Sequence, residues 1–170
     1  MSDDIEVLDF PRSSHLAGIA ARLPKEREGA ERSEEESCLG FGYLRGLRER
    51  AIAVEFRFRD GNSDWFSYSH LTGFRFNPSV GILLKFTGDL VSLVLIRGSN
   101  LDALVNQSMV NLTDRGFQRH RILWVREMDE DELRKVGQGG PTIDRIEVAE
   151  FESHREMNDW LRKVAPVFVR

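Results

Sequence analysis

Histidine, serine, cysteine and carboxylate side chains could do chemistry in this chain, and their spacing does not converge. The four histidines, His15, His70, His120 and His154, are scattered over 170 residues. No two are four residues apart, the spacing that puts a pair of imidazoles on one helix face for a metal. Asp60, Asn62 and Asp64 share a turn with the oxygen chemistry of a calcium loop, but the remaining ligands and the terminal Glu do not follow. Ser67, Ser69 and His70 are close in sequence, yet on a strand Ser69 and His70 face opposite sides. The single cysteine, Cys38, permits neither an internal disulfide nor a cysteine metal cluster, and it lacks fixed basic neighbours to activate it. There is no phosphate-loop or nucleophile-elbow glycine pattern. The sequence therefore predicts no enzyme, no cofactor and no metal.

Binding chemistry is better represented. Arg57, Arg59 and Arg75 alternate with phenylalanines, and Arg115, Arg119, His120, Arg121 and Arg126 gather around Phe117 and Trp124. Basic groups neutralise phosphates and aromatic rings stack on unpaired bases. One expectation is thus a single-stranded nucleic-acid (RNA) module that uses Arg97, Arg119 and Arg121. The stretch Ile96-Arg97-Gly98-Ser99-Asn100-Leu101 resembles the second signature of the Sm-like RNA-binding fold, which implies Arg97 beside a nucleobase. That family's first signature, an Asp and an Asn on a hairpin, is absent between Ser63 and Phe86. Arg45, Arg48 and Arg50, with Asn77-Pro78-Ser79-Val80-Gly81, resemble the basic motif and turn of cyclic-dinucleotide receptors built on small β-barrels. The glycine falls one residue early and the arginines lack the four-residue spacing.

Two apolar faces carry the leading expectation. Met157, Trp160, Leu161 and Val164 share one face of a C-terminal helix. Ile5, Val7, Leu8 and Phe10 precede Pro11 as a short strand that could add to a sheet edge. These residues predict a non-enzymatic interaction, adaptor or regulatory accessory module. Its contacts are Met157, Trp160, Leu161, Val164 and Phe10, made with a protein partner or a second copy, with the helix face packing on the chain's own sheet as the open alternative. No small-molecule ligand is indicated.

The elements that must carry these residues are mostly strands. Ile52, Val54, Phe56 and Phe58 alternate with Ala53, Glu55, Arg57 and Arg59, a period of two. Asp60-Gly61-Asn62 is turn chemistry. Trp65 to Phe76 reads as one bent strand or two, since Gly73 permits a bulge. Val80–Phe86 and Leu90–Ile96 are more continuously apolar and should be central. Ser99 with Asp102 has capping-box spacing, and Leu101, Leu104, Val105 and Leu112 then predict a helix ending at Gly116. Arg121–Arg126 returns as a strand. Asp129 caps a short acidic helix, a strand follows over Ile143–Phe151, and Ser153 caps a last helix that Pro166 ends.

The fold class is therefore α+β: an antiparallel β-meander sheet, open or barrel-like, with one covering helix, plus a C-terminal amphipathic helix. Residues 1–40 are expected to be a mostly disordered acidic region, 41–127 the core domain, and 128–170 a linker with a C-terminal strand and helix. The net charge of -4 is segregated. Residues 1–40 hold 5 basic and 10 acidic side chains, 41–127 hold 12 and 8, and 128–170 hold 7 and 10. Cysteine usage predicts a cytoplasmic setting. No run reaches the roughly 20 apolar residues that span a bilayer, so no membrane partner is expected.

Overall fold

A computed structural model describes residues 34–170. In chain order the strands are β1 (Glu35–Ser37), β2 (Phe41–Leu44), β3 (Ala53–Arg57), β4 (Ser63–Ser67), β5 (Leu71–Asn77), β6 (Gly81–Thr87), β7 (Val91–Ser99), β8 (Ile122–Arg126) and β9 (Thr142–Phe151). The helices are α1 (Glu130–Lys135) and α2 (His154–Val164). The class is α+β, and the strands form two sheets rather than one closed barrel. Sheet A has the order β1-β2-β8-β3-β4, and sheet B the order β5-β6-β7-β9.

The meander is cut where a 3-10 turn, Tyr68–His70, separates β4 from β5. Tyr68 points into the core, and its hydroxyl donates to the Ile122 carbonyl at 2.7 Å. The chain then crosses from one sheet to the other. The bulge that Gly73 permits is present, as a register shift between Leu71 and Gly73 against β6.

Alternation decides which face each strand buries. Val54 and Phe56 of β3 face inward, and so do Ile82, Leu84 and Phe86 of β6 and Val94 and Ile96 of β7. They meet in the main core between the sheets, where Phe66 stacks on Phe86 at 4.6 Å. The odd-numbered residues Leu83, Val91, Leu93 and Leu95 lie on the other face of sheet B and join Met157 and Leu161 of α2. Sheet B is thus covered on both sides, which explains why β6 and β7 are continuously apolar. Gly81, at φ +134°, has no room for a side chain, because a Cβ would lie 2.0 Å from the Ile96 carbonyl oxygen.

Both helix caps match the sequence expectation. Asp129 and Glu132 form a reciprocal capping box on α1, and the Ser153 side chain accepts from the Glu156 amide on α2. The predicted helix after Ser99 does not form. Residues 100–121 are a turn-rich loop with a single bridge between Val105 and Val110 and one 3-10 turn, Phe117–Arg119. Asn100, Asn106 and Met109 have φ near +55°, a left-handed conformation that interrupts a right-handed helix. The Asn111 side chain organises the loop, donating to the Asp102 carbonyl and Asp114 and accepting from the Arg115 amide. Such side-chain bonds compete with helical ones. Leu101, Val105 and Leu112 are still buried whereas Leu104 is exposed, so the apolar spacing reported burial at three of its four positions without the helix. The helix that does cover a sheet is α2.

Candidate functional site

The structure gathers the residues singled out on the C-terminal helix into one cluster within the chain and separates the arginines. Met157 and Leu161 are buried against sheet B of the same chain, so they are not free for a partner. Trp160 leans on Phe151, with ring centroids 5.7 Å apart, and Val164 packs at the rim of that cluster. Phe10 and the rest of the N-terminal island lie outside the described residues.

The three arginines do not form one surface either. Arg97 ties the sheet to the end of α2. Its Nε donates to Glu147 at 3.0 Å and its Nη2 to the Val164 carbonyl at 2.8 Å. A cation there also suits the negative end of the helix dipole. Arg121 is 1% exposed. Its guanidinium donates to the carbonyls of Leu44 at 2.9 Å and Arg45 at 2.7 Å. This corrects its assignment as a nucleic-acid contact. Burial, then Arg119 nearby, pulls its pKa below the usual arginine value. Arg119 alone of the three is exposed.

Other motifs resolve into local structure. Asp60 accepts from both the amide and the side chain of Asn62, which makes a tight turn. Ser67 and Ser69 bond each other at 2.8 Å. The Asn77 side chain accepts from the Ser79 amide, again a turn. That turn sits at the far end of β5 from the arginines of 45–50. Their loop runs into Ile52, whose carbonyl accepts from Tyr68, just before β5 starts.

What the structure does bring together is a trough along β5, an edge strand of sheet B among the described residues. Two hollows of about 210 and 380 Å³ share Arg75, Phe168 and Arg170. The floor is apolar, with Leu83 and Leu93 from the sheet and Leu161 from α2. The rim carries Arg75, Lys85 and Arg170, and among the described residues no acidic side chain lines either hollow. Arg75 donates to the Phe168 carbonyl, which fixes the C-terminal turn as the trough's outer wall. The Lys85 ammonium lies 3.4 Å from the His154 ring.

Part of this was visible in sequence. Arg75 stands between Phe74 and Phe76, and Lys85 is the lone charge in an otherwise apolar strand, an interruption that asks for a reason. Nothing in the sequence connects either residue to Arg170, which reaches them only because α2 folds back over sheet B.

Fold and trough together define a small β-rich domain of two open sheets backed by a helix, with a cationic, apolar-floored edge. Comparison with protein-family models, curated proteins and solved structures finds no match to the chain.

Proposed function

We propose that the protein is a cytoplasmic, non-enzymatic interaction module, and that it receives an extended acidic and apolar segment of a partner protein along β5. The observation that carries the reading is the trough, with three cations over an apolar floor and, among the described residues, no acid in the lining and a sheet edge paired on one side only. Edge strands offer unpaired backbone groups to an incoming strand, and pockets beside them select alternate side chains. Acidic residues on the segment would meet Arg75, Lys85 and Arg170, while its apolar residues would meet Val167, half-exposed on the wall of the second hollow. The bulge at Leu71–Gly73 limits pairing to the straighter half, Phe74 to Asn77.

The test is fluorescence polarisation with a labelled peptide of alternating aspartate and valine, against a peptide with lysine in place of aspartate. The acidic peptide is expected to bind, less tightly at higher salt. Lys85→Glu combined with Arg170→Glu should weaken it by roughly tenfold or more, since like charges oppose docking. Equal binding of both peptides, or no effect of the double reversal, would refute the reading.

A further inference from the structure

A second surface lies at the end of the molecule where β5 begins. Two loops meet there, 45–52 between β2 and β3, and 114–121 leading into β8. The Ala51 amide donates to the His120 carbonyl at 2.7 Å, and the Leu44 amide to the Arg121 carbonyl at 2.9 Å. The buried guanidinium of Arg121 clamps the same loops from beneath. The His120 ring stacks on Tyr68, with centroids 4.6 Å apart. The loops are therefore held by the fold.

On this seat stand five exposed arginines, Arg45, Arg48, Arg50, Arg115 and Arg119. The same loops hold two acids, Glu49 and Asp114. Asp114 is engaged by Asn111 at 2.8 Å, and Glu36 of β1 approaches Arg45 at 3.8 Å. Over all described residues acids outnumber bases, 21 to 19, so this excess of positive charge is local. Among the arginines, Leu47 is 75% exposed and Ile52 86% exposed. Met109, 47% exposed, lies beside Arg115, which donates to its carbonyl at 3.1 Å.

We propose that this end docks the protein on an anionic lipid surface, with the arginines on the headgroups and Leu47 and Ile52 entering the boundary with the acyl chains. The alternative polyanion, a nucleic acid, rewards flat rings that stack on bases. At this end the rings are already used: Tyr68 and Phe117 are buried, and His120 stacks on Tyr68, while the exposed Trp65 stands apart on β4, opposite Glu55. The exposed apolar groups are aliphatic, which gain by entering hydrocarbon and cannot stack. Apolar tips ringed by cations suit an anionic bilayer boundary. Among the described residues no helix is long and apolar enough to cross a membrane, so the contact is peripheral. The inference does not rest on the trough.

The experiment is co-sedimentation of the full-length protein with vesicles of phosphatidylcholine, alone or mixed with phosphatidylserine. Pelleting is expected with the mixed vesicles only, and it should fall as salt is added. Arg48→Glu with Arg50→Glu should lower partitioning by about tenfold or more, since each arginine near such a surface is worth roughly fivefold. Leu47→Ser with Ile52→Ser should lower it with the charge intact. All four positions are exposed, and thermal melts of the variants should match the parent. Three outcomes would overturn the proposal. They are equal pelleting with both vesicle types, full pelleting of the serine variant, or a labelled single-stranded RNA that strips the protein from mixed vesicles and loses its own binding in the Arg48/Arg50 variant.

Discussion

Truncating Arg121 tests whether the basic end is built on a structural clamp. The side chain is 1% exposed and makes two good hydrogen bonds, to Leu44 O and Arg45 O, with a longer one of 3.4 Å to Arg115 O. Hydrogen bonds from a charged donor are worth about 1.5–3 kcal/mol each. Arg121→Ala removes both good ones and leaves their carbonyls to find water, while relieving the cost of keeping a guanidinium out of solvent. The balance should be a loss of about 3–4 kcal/mol. For a domain of this size that lowers Tm by roughly 10 °C. Arg121→Lys keeps the charge, but one ammonium cannot serve both carbonyls with the fork geometry of arginine, so about half the loss should remain. Thermal and urea unfolding followed by tryptophan fluorescence is a direct assay, because Trp124 lies three residues along β8. An Arg121→Ala protein melting within about 2 °C of the parent would refute the clamp. It would also return Arg121 to the surface role that its sequence context suggested.

Two further outcomes follow from the packing and the charges. Leu161→Ala opens a hole between α2 and sheet B and should cost about 2–4 kcal/mol, whereas Trp160→Ala, at the rim, should cost less; equal losses in urea unfolding would contradict the burial pattern. Glu36 is held below the ordinary glutamate value by hydrogen bonds from Ser108 and Tyr43, and Glu132 by a hydrogen bond from Arg126. Hydrogen bonds from Arg57 do the same for Glu55, and from Asn111 for Asp114. The unfolded chain binds these protons more readily, so the carboxylates add stability above their unfolded pKa values and lose it as pH falls through the lower folded ones. The urea midpoint should hold between pH 7 and about 5 and drop by pH 3, and an unchanged midpoint at pH 3 would show that these contacts add nothing.

The strands were legible because a period of two survives any tertiary context that keeps one face buried. Val54 and Phe56 show it, and the loss of alternation in β6 and β7 correctly marked strands covered on both sides. Capping chemistry was legible for the same reason: Asp129 with Glu132 is a local arrangement. The split into two sheets was not, because Tyr68–His70 reads as strand until one knows that Tyr68 must reach the Ile122 carbonyl. The loop 100–121 misled because apolar spacing reports which residues are buried and not how the backbone gets them there. The left-handed asparagines, Asn100 and Asn106, were the signal available in sequence. The trough and the basic end are both built from residues far apart in the chain, and such juxtapositions have no local signature.

The position of β8 has a consequence for how the chain acquires its shape. Strand β8 lies between β2 and β3, antiparallel to one and parallel to the other, and Arg57 closes β3 a full 65 residues before Ile122 opens β8. During synthesis the β3–β4 hairpin must wait for its neighbour, while β5, β6 and β7 pair as soon as they emerge. Loop closure over such a distance costs entropy before any contact repays it. The local contacts of the three-strand meander favour it as the first part to form, and sheet A cannot be completed until β8 is inserted into its middle. Until then β3 has no sheet-A neighbour but β4, and a nascent chain stalled before residue 122 would leave the other edge of β3 unpaired.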